Sequence, residues 1–203
     1  MSDINISTRP NEEQTDKELS FWYEYKPMIN VDDGSLDLKI DHTFLKDDEL
    51  ADFDFNNPPI DPVDLSQSLV KTMRKLQGYG LSANQVGLPV KVFCLDGEPA
   101  HAIFNPSITY YGDEYIELQE GCLSYPGFHL KIKRPRFIRA RFQDPYGDWV
   151  TKQFDGITAR VFQHEFDHTE GIDFISRVSK LKKSMAIKKW KKKYGRTAAS
   201  LPL

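Results

Sequence analysis

Apolar residues along the middle of the chain come in short runs rich in β-branched and aromatic side chains, while the flanking stretches place them every third or fourth position. Segments 90–95, 102–109, 114–119, 128–133, 136–142 and 148–154 are of the first kind. Turn signals separate them, such as Asp96-Gly97, Tyr111-Gly112-Asp113 and Asp144-Pro145-Tyr146-Gly147, so they are predicted strands. The second kind predicts three helices. One runs from about Pro62 to Leu76, with Asp61 as cap, Pro62 at its start, and Leu65, Leu69, Met73 and Leu76 on one face. Another starts near Gly156, and Ala159, Val161, Phe162 and Phe166 give it apolar residues over a wide arc. The last spans about 179–194, with Leu181, Met185, Ala186, Trp190 and Tyr194 as a ragged apolar stripe and Gly195 as its stop. Residues 78–87, three of them glycine, read as a loop. The Asp-, Asn- and Pro-rich stretch 37–63 reads as irregular chain. The predicted fold is α+β: antiparallel strands wrapped around a central buried helix, plus an N-terminal helix and a C-terminal basic helix.

Composition narrows this picture. At 203 residues, 39% hydrophobic and 28% charged, the chain suits one soluble domain with a real core. Residues 37–203 are expected to form it, and 1–36 an extension whose role the sequence leaves open; its aromatic run Phe21 to Tyr25 is expected to lie along the body. No apolar run approaches the roughly 18 residues of a membrane span, and Met1 to Glu13 is too acidic for a secretory or transit signal. Of two cysteines, Cys94 sits in an apolar run and reads as a buried structural thiol. The expected compartment is a reducing cytoplasm, with no membrane and no DNA partner. Charge is uneven. Residues 177–203 hold ten Lys or Arg and no acid, leaving 17 basic against 30 acidic residues elsewhere.

The chemistry starts at Gln163-His164-Glu165-Phe166-Asp167-His168. Histidines four apart stack on one helix face and can share a cation. Glu165, about 100° round from His164, can reach a water on that cation without ligating it. A catalytic site wants a third protein ligand. In metzincin proteases it is a histidine six residues after the second, which here is Phe174 and cannot ligate. The best remaining candidate is Cys122, in Glu120-Gly121-Cys122-Leu123-Ser124-Tyr125-Pro126-Gly127, where a Pro-Gly turn can present a thiolate. His42, His101 and His129 read as ordinary surface or turn residues.

Three blocks in this order, Gly80-Leu81-Ser82-Ala83-Asn84-Gln85, Glu120 to Ser124 and Gln163 to His168, resemble the three motifs of the peptide deformylase family. That family removes the N-formyl group from nascent polypeptides, releasing formate. The resemblance covers roughly residues 40–190 and implies that Cys122, His164 and His168 ligate one divalent metal ion. Fe(II) is the native ion in the family, with Zn, Ni or Co as substitutes. It also implies that Glu165 is the general acid/base, and that Gln85 and the Leu123 backbone N–H are oxyanion donors. The substrate it implies is an extended formyl-methionyl peptide. By position, Tyr79, Leu118, Ile157 and Val161 are candidates for the methionine pocket, with Glu120 and Gly80 making polar contacts at its mouth. The chain departs from the pattern at Ser82 (usually alanine), Thr169 (usually leucine) and His129 (often arginine), none of them in the ligand set.

Two rival readings rest on the same residues. A metallopeptidase is disfavoured by Phe174 and Cys122; a binding protein with a structural metal is disfavoured by Glu165 and Gln85, which such a site does not need. The Lys-rich C-terminal helix reads by default as a solvated face. For an enzyme acting on nascent chains, it also raises the hypothesis of contact with the ribosome.

Overall fold

A computed structural model describes residues 33–38, 50–97 and 99–194. The aromatic run at 21–25, His42 and Gly195 lie outside the described residues. Helix α1 (Pro62–Lys75) begins where Asp61 Oδ1 accepts the backbone N–H groups of Val63 and Asp64, and Leu65, Leu69 and Met73 bury its apolar face. Leu76 falls just past its last turn.

Six of the seven strands lie where the residue pattern puts them, within two residues at each end: β2 (Val92–Leu95), β3 (His101–Tyr111), β4 (Tyr115–Gly121), β5 (His129–Pro135), β6 (Phe137–Gln143) and β7 (Trp149–Asp155). The stretch read as a loop contains a strand as well. β1 (Gly80–Ser82) pairs antiparallel with β2, Leu81 opposite Cys94, and a 3-10 turn (Ala83–Val86) follows it. With three residues, all buried, β1 has neither length nor alternation to show in a sequence. The larger sheet runs β1-β2-β3-β6-β7, and β4 pairs only with β5 in a two-stranded sheet. All these pairings are antiparallel.

Helix α2 (Gly156–Thr169) carries the His-Glu-x-x-His stretch and packs against β1, β2, β6 and β7 of the larger sheet and β5 of the smaller. Ala159 and Phe162 insert among Phe93, Ile103, Ile138, Phe142 and Phe154, with Phe162 edge-on to Phe93 at 5.0 Å. A fully buried phenylalanine in such a core is worth ~3–5 kcal/mol against alanine. Gly171, at φ +67°, stops the helix, and Ile172 N–H donates back to Asp167 C=O.

Helix α3 (Lys180–Tyr194) differs from the expected stripe. Leu181 and Met185 are 71% and 64% exposed, and the packed side is Ala186, Ile187 and Trp190 against Phe128 and Phe174. The indole is the largest apolar group on the helix, and its burial sets the helix's rotation.

Candidate metal centre

The three candidate ligands come from two places: Cys122 from the turn after β4, His164 and His168 from α2. Their ligand atoms all lie within 4.8 Å of one another. Cys122 Sγ is 3.4 Å from His168 Nε2, and the two imidazoles meet edge to face, 4.9 Å between ring centres. The turn presenting the sulfur is closed by Tyr125 N–H donating to Cys122 C=O at 2.9 Å.

Beneath the histidines is a buried charge network. Glu120 accepts at Oε1 from Arg134 Nε (2.7 Å) and Arg160 Nη1 (2.6 Å), and at Oε2 from Arg134 Nη2 (3.0 Å). Its Oε2 is also 3.1 Å from His164 Nδ1. Burial works against its charge, but His164 and Arg134 outweigh it and hold Glu120 well below the usual carboxylate range. Arg134 reaches on to Asp167 at 2.8 Å, and Asp167 is held from the other side by Arg177. Glu120 borders the cavity, with its carboxylate held by Arg134, Arg160 and His164.

The titrating groups are shaped by burial. Desolvation pushes Glu165 up to about 7, and Oε2 of its carboxylate has no protein partner among the described residues. Desolvation, with the charge of His164, holds His168 well below the ordinary histidine range, so it is a neutral imidazole ready to ligate. For His164 burial acts the same way, yet Cys122 and Glu120 override it and push it up to about 10.

Gln85 sits on the opposite wall. Its Oε1 accepts from Ser82 N–H at 2.9 Å, which aims Nε2 at Cys122 Sγ (3.4 Å) and Ser124 Oγ (3.1 Å). Asn84 Nδ2 ties the same turn to α2 by donating to His168 C=O at 2.9 Å. The departures at Ser82 and Thr169 are internally satisfied: Ser82 Oγ donates to Val92 C=O, and Thr169 Oγ1 to Phe166 C=O.

A cavity of about 810 Å³ opens from this centre. Leu118, Val161 and Ile157 line it, Ile157 being 59% exposed, and Tyr79 stands at its rim, 72% exposed. Leu123 lies half-buried beside Gly78, and Gly80 lies against Glu165. His129 is exposed, as expected of a surface residue, and also borders the cavity, its ring lying over Gly121. Sequence reasoning missed Arg160, Asp167, Ser124 and Tyr125 as parts of the site; the first two lie on α2 and the last two in the cysteine turn, and their partners come from other segments.

The family model for polypeptide deformylase matches residues 46–184. The chain belongs to the polypeptide deformylase family. Deformylases are metallohydrolase enzymes. A peptide deformylase of Brucella suis biovar 1 is 38% identical over 133 residues, covering 63% of this chain and 76% of that protein. Among solved structures, the peptide deformylase of Thermus thermophilus is 31% identical, with a TM-score of 0.68 over 77% of this chain and 92% of that one. That of Synechococcus elongatus in complex with actinonin is 29% identical, with a TM-score of 0.68 over 85% and 97%. The donor set fits a deformylase metal. One sulfur and two imidazoles suit a borderline divalent ion, and with Glu120 on Nδ1, Nε2 is the nitrogen of His164 that could hold it.

Proposed function

We propose that this deformylase removes the formyl group from N-formylmethionine of newly made polypeptides, releasing formate. It would use one divalent ion held by Cys122, His164 and His168, with Fe(II) as the native ion and Zn, Ni or Co as substitutes. The observation that carries the reading is the meeting of these three ligand atoms within 4.8 Å, beside the Glu165 carboxylate, at a cavity lined by apolar side chains. The ion, when bound, supplies a Lewis acid that lowers the pKa of water toward about 7.

Each residue then has a role. Glu165, buried and with one oxygen unpartnered, accepts the attacking water's proton and passes it to the leaving amine, a contribution of ~10²–10⁴ in rate. Formamide carbon–nitrogen cleavage thus yields formate and a free amine, with Glu165 regenerated. Gln85 keeps one amide hydrogen on Ser124 while the other, now facing Cys122 Sγ, is offered with the Leu123 N–H to the oxyanion. Such a donor is typically worth ~3 kcal/mol. The methionine side chain is read into the pocket of Tyr79, Leu118, Ile157 and Val161 beside Gly80. The compartment is read as the cytoplasm. The lysines of α3, on a helix whose Leu181 and Met185 are exposed, form the proposed ribosome contact. No helix among the described residues is long and apolar enough to cross a membrane.

The test is anaerobic purification, metal analysis, and kinetics on formyl-Met-Ala-Ser and its unformylated counterpart. Expected is formate release from the first only, with Glu165→Ala retaining metal and losing ~10²–10⁴ in kcat. Undiminished turnover by Glu165→Ala, or cleavage of the unformylated peptide, overturns the reading.

A further inference from the structure

Residues 33–38 lie outside the stretch matched by the deformylase model, which begins at 46, yet they reach the cavity. Three contacts fasten them to α1. Lys75 Nζ donates to Asp33 Oδ2 at 2.8 Å and to Ser35 Oγ at 3.0 Å, and Leu36 N–H donates to Thr72 Oγ1 at 2.7 Å. Leu36 is itself buried in the core around α1. Two residues on, Leu38 packs half-buried against that core and borders the same cavity that ends at Cys122. Leu76 and Leu123 also line this cavity. Gly78 makes room for the latter: a Cβ there would come within 2.9 Å of Leu123 Cδ1.

Leu38, Leu76 and Leu123 contribute only apolar side chains to the cavity wall. At about 810 Å³ the cavity is in the range that encloses a whole small ligand rather than one side chain. An extended peptide advances about 3.3 Å per residue, so one whose first residue is at the metal carries later side chains along the wall. Resting on the deformylase reading, we propose that Leu38, with Leu76 and Leu123, forms a subsite for an apolar side chain downstream of the formylated residue. Leu38, the part of this wall supplied by chain outside the family-matched region, makes this deformylase selective beyond the first residue.

The test compares kcat/KM on formyl-Met-Xaa-Ser and formyl-Met-Ala-Xaa, with Xaa leucine or aspartate, for wild type, Leu38→Ala and Leu38→Met. Wild type should favour leucine over aspartate by roughly five- to tenfold at one of the two positions, the scale expected for partial burial of one apolar side chain. The difference should lie in KM. Leu38→Ala should collapse that ratio toward one, and Leu38→Met should keep it. An equal ratio in wild type and Leu38→Ala overturns the inference, as does a uniform loss on all four peptides. Failure of wild type to release formate from any of them would instead overturn the deformylase reading itself.

Discussion

Glu120 Oε2 lies 3.1 Å from His164 Nδ1, on a carboxylate that is also bound by two buried arginines. The carboxylate therefore selects the His164 tautomer, holding a proton on Nδ1 and leaving Nε2 free toward the Cys122 sulfur. Glu120→Gln keeps the shape and removes the charge, so it should cut metal affinity by ~10- to 100-fold. Glu120→Ala leaves Arg134 and Arg160 buried without this counter-charge and should cost ~3–5 kcal/mol of stability. Chelator competition and thermal unfolding of the two variants check this; wild-type affinity in both would show that the contact does not orient the ligand.

At Gly80 of β1 there is no room for a side chain beside α2. A Cβ there would lie 2.6 Å from Glu165 Oε1, 2.8 Å from Glu165 Cγ and 2.8 Å from Val161 Cγ1. Glu165 is buried and cannot swing away cheaply. Gly80→Ala should therefore displace the carboxylate and lower kcat by ~10²-fold, the scale of a 1 Å misplacement, while the metal stays bound. Steady-state kinetics with metal analysis tests it. Wild-type kcat would mean the loop yields instead.

How legible this was in the sequence depended on the range of each relationship. The pairing of His164 with His168 is local, fixed by helical spacing, and so are the caps and stripe of α1. The network under the histidines is not: Glu120, Arg134, Arg160 and Asp167 belong to β4, β5 and two turns of α2, and a buried charge looks like a surface one until its partners are placed. Helix α3 shows the opposite failure. Leu181 and Met185 have the spacing of a buried face, yet tertiary packing of Trp190 turns them outward.

Tyr125 joins the cysteine turn to the segment just after the histidine helix. Its N–H closes the turn on Cys122 C=O, and its hydroxyl donates to Asp173 Oδ2 at 3.1 Å. Asp173, which also accepts from Ser176 N–H, sits five residues after His168. Tyr125→Phe removes the hydroxyl and keeps the ring against Phe174, so it should cost about 1 kcal/mol. If the hydrogen bond tethers the sulfur, metal transfer to a chelator should speed up by up to about tenfold. Loss at the wild-type rate with lowered stability would make the bond merely structural.

Metal uptake should depend on pH through His164. In metal-stripped protein, burial disfavours its charge, but Cys122 and Glu120 prevail and its pKa is pushed up to about 10. A ligating imidazole must be neutral, so below that value each metal bound expels at least one proton. The sign follows: affinity falls as pH falls, by about tenfold per pH unit for each proton expelled. Only above about 10 does the His164 contribution vanish. Competition with a chelator of known pH behaviour between about pH 6.5 and 8.5 should give a slope of one or more. Calorimetry in buffers of differing ionisation heat should count the same protons. A flat profile would mean that His164 is already neutral when the ion arrives, and that Glu120 orients the ring without holding its charge.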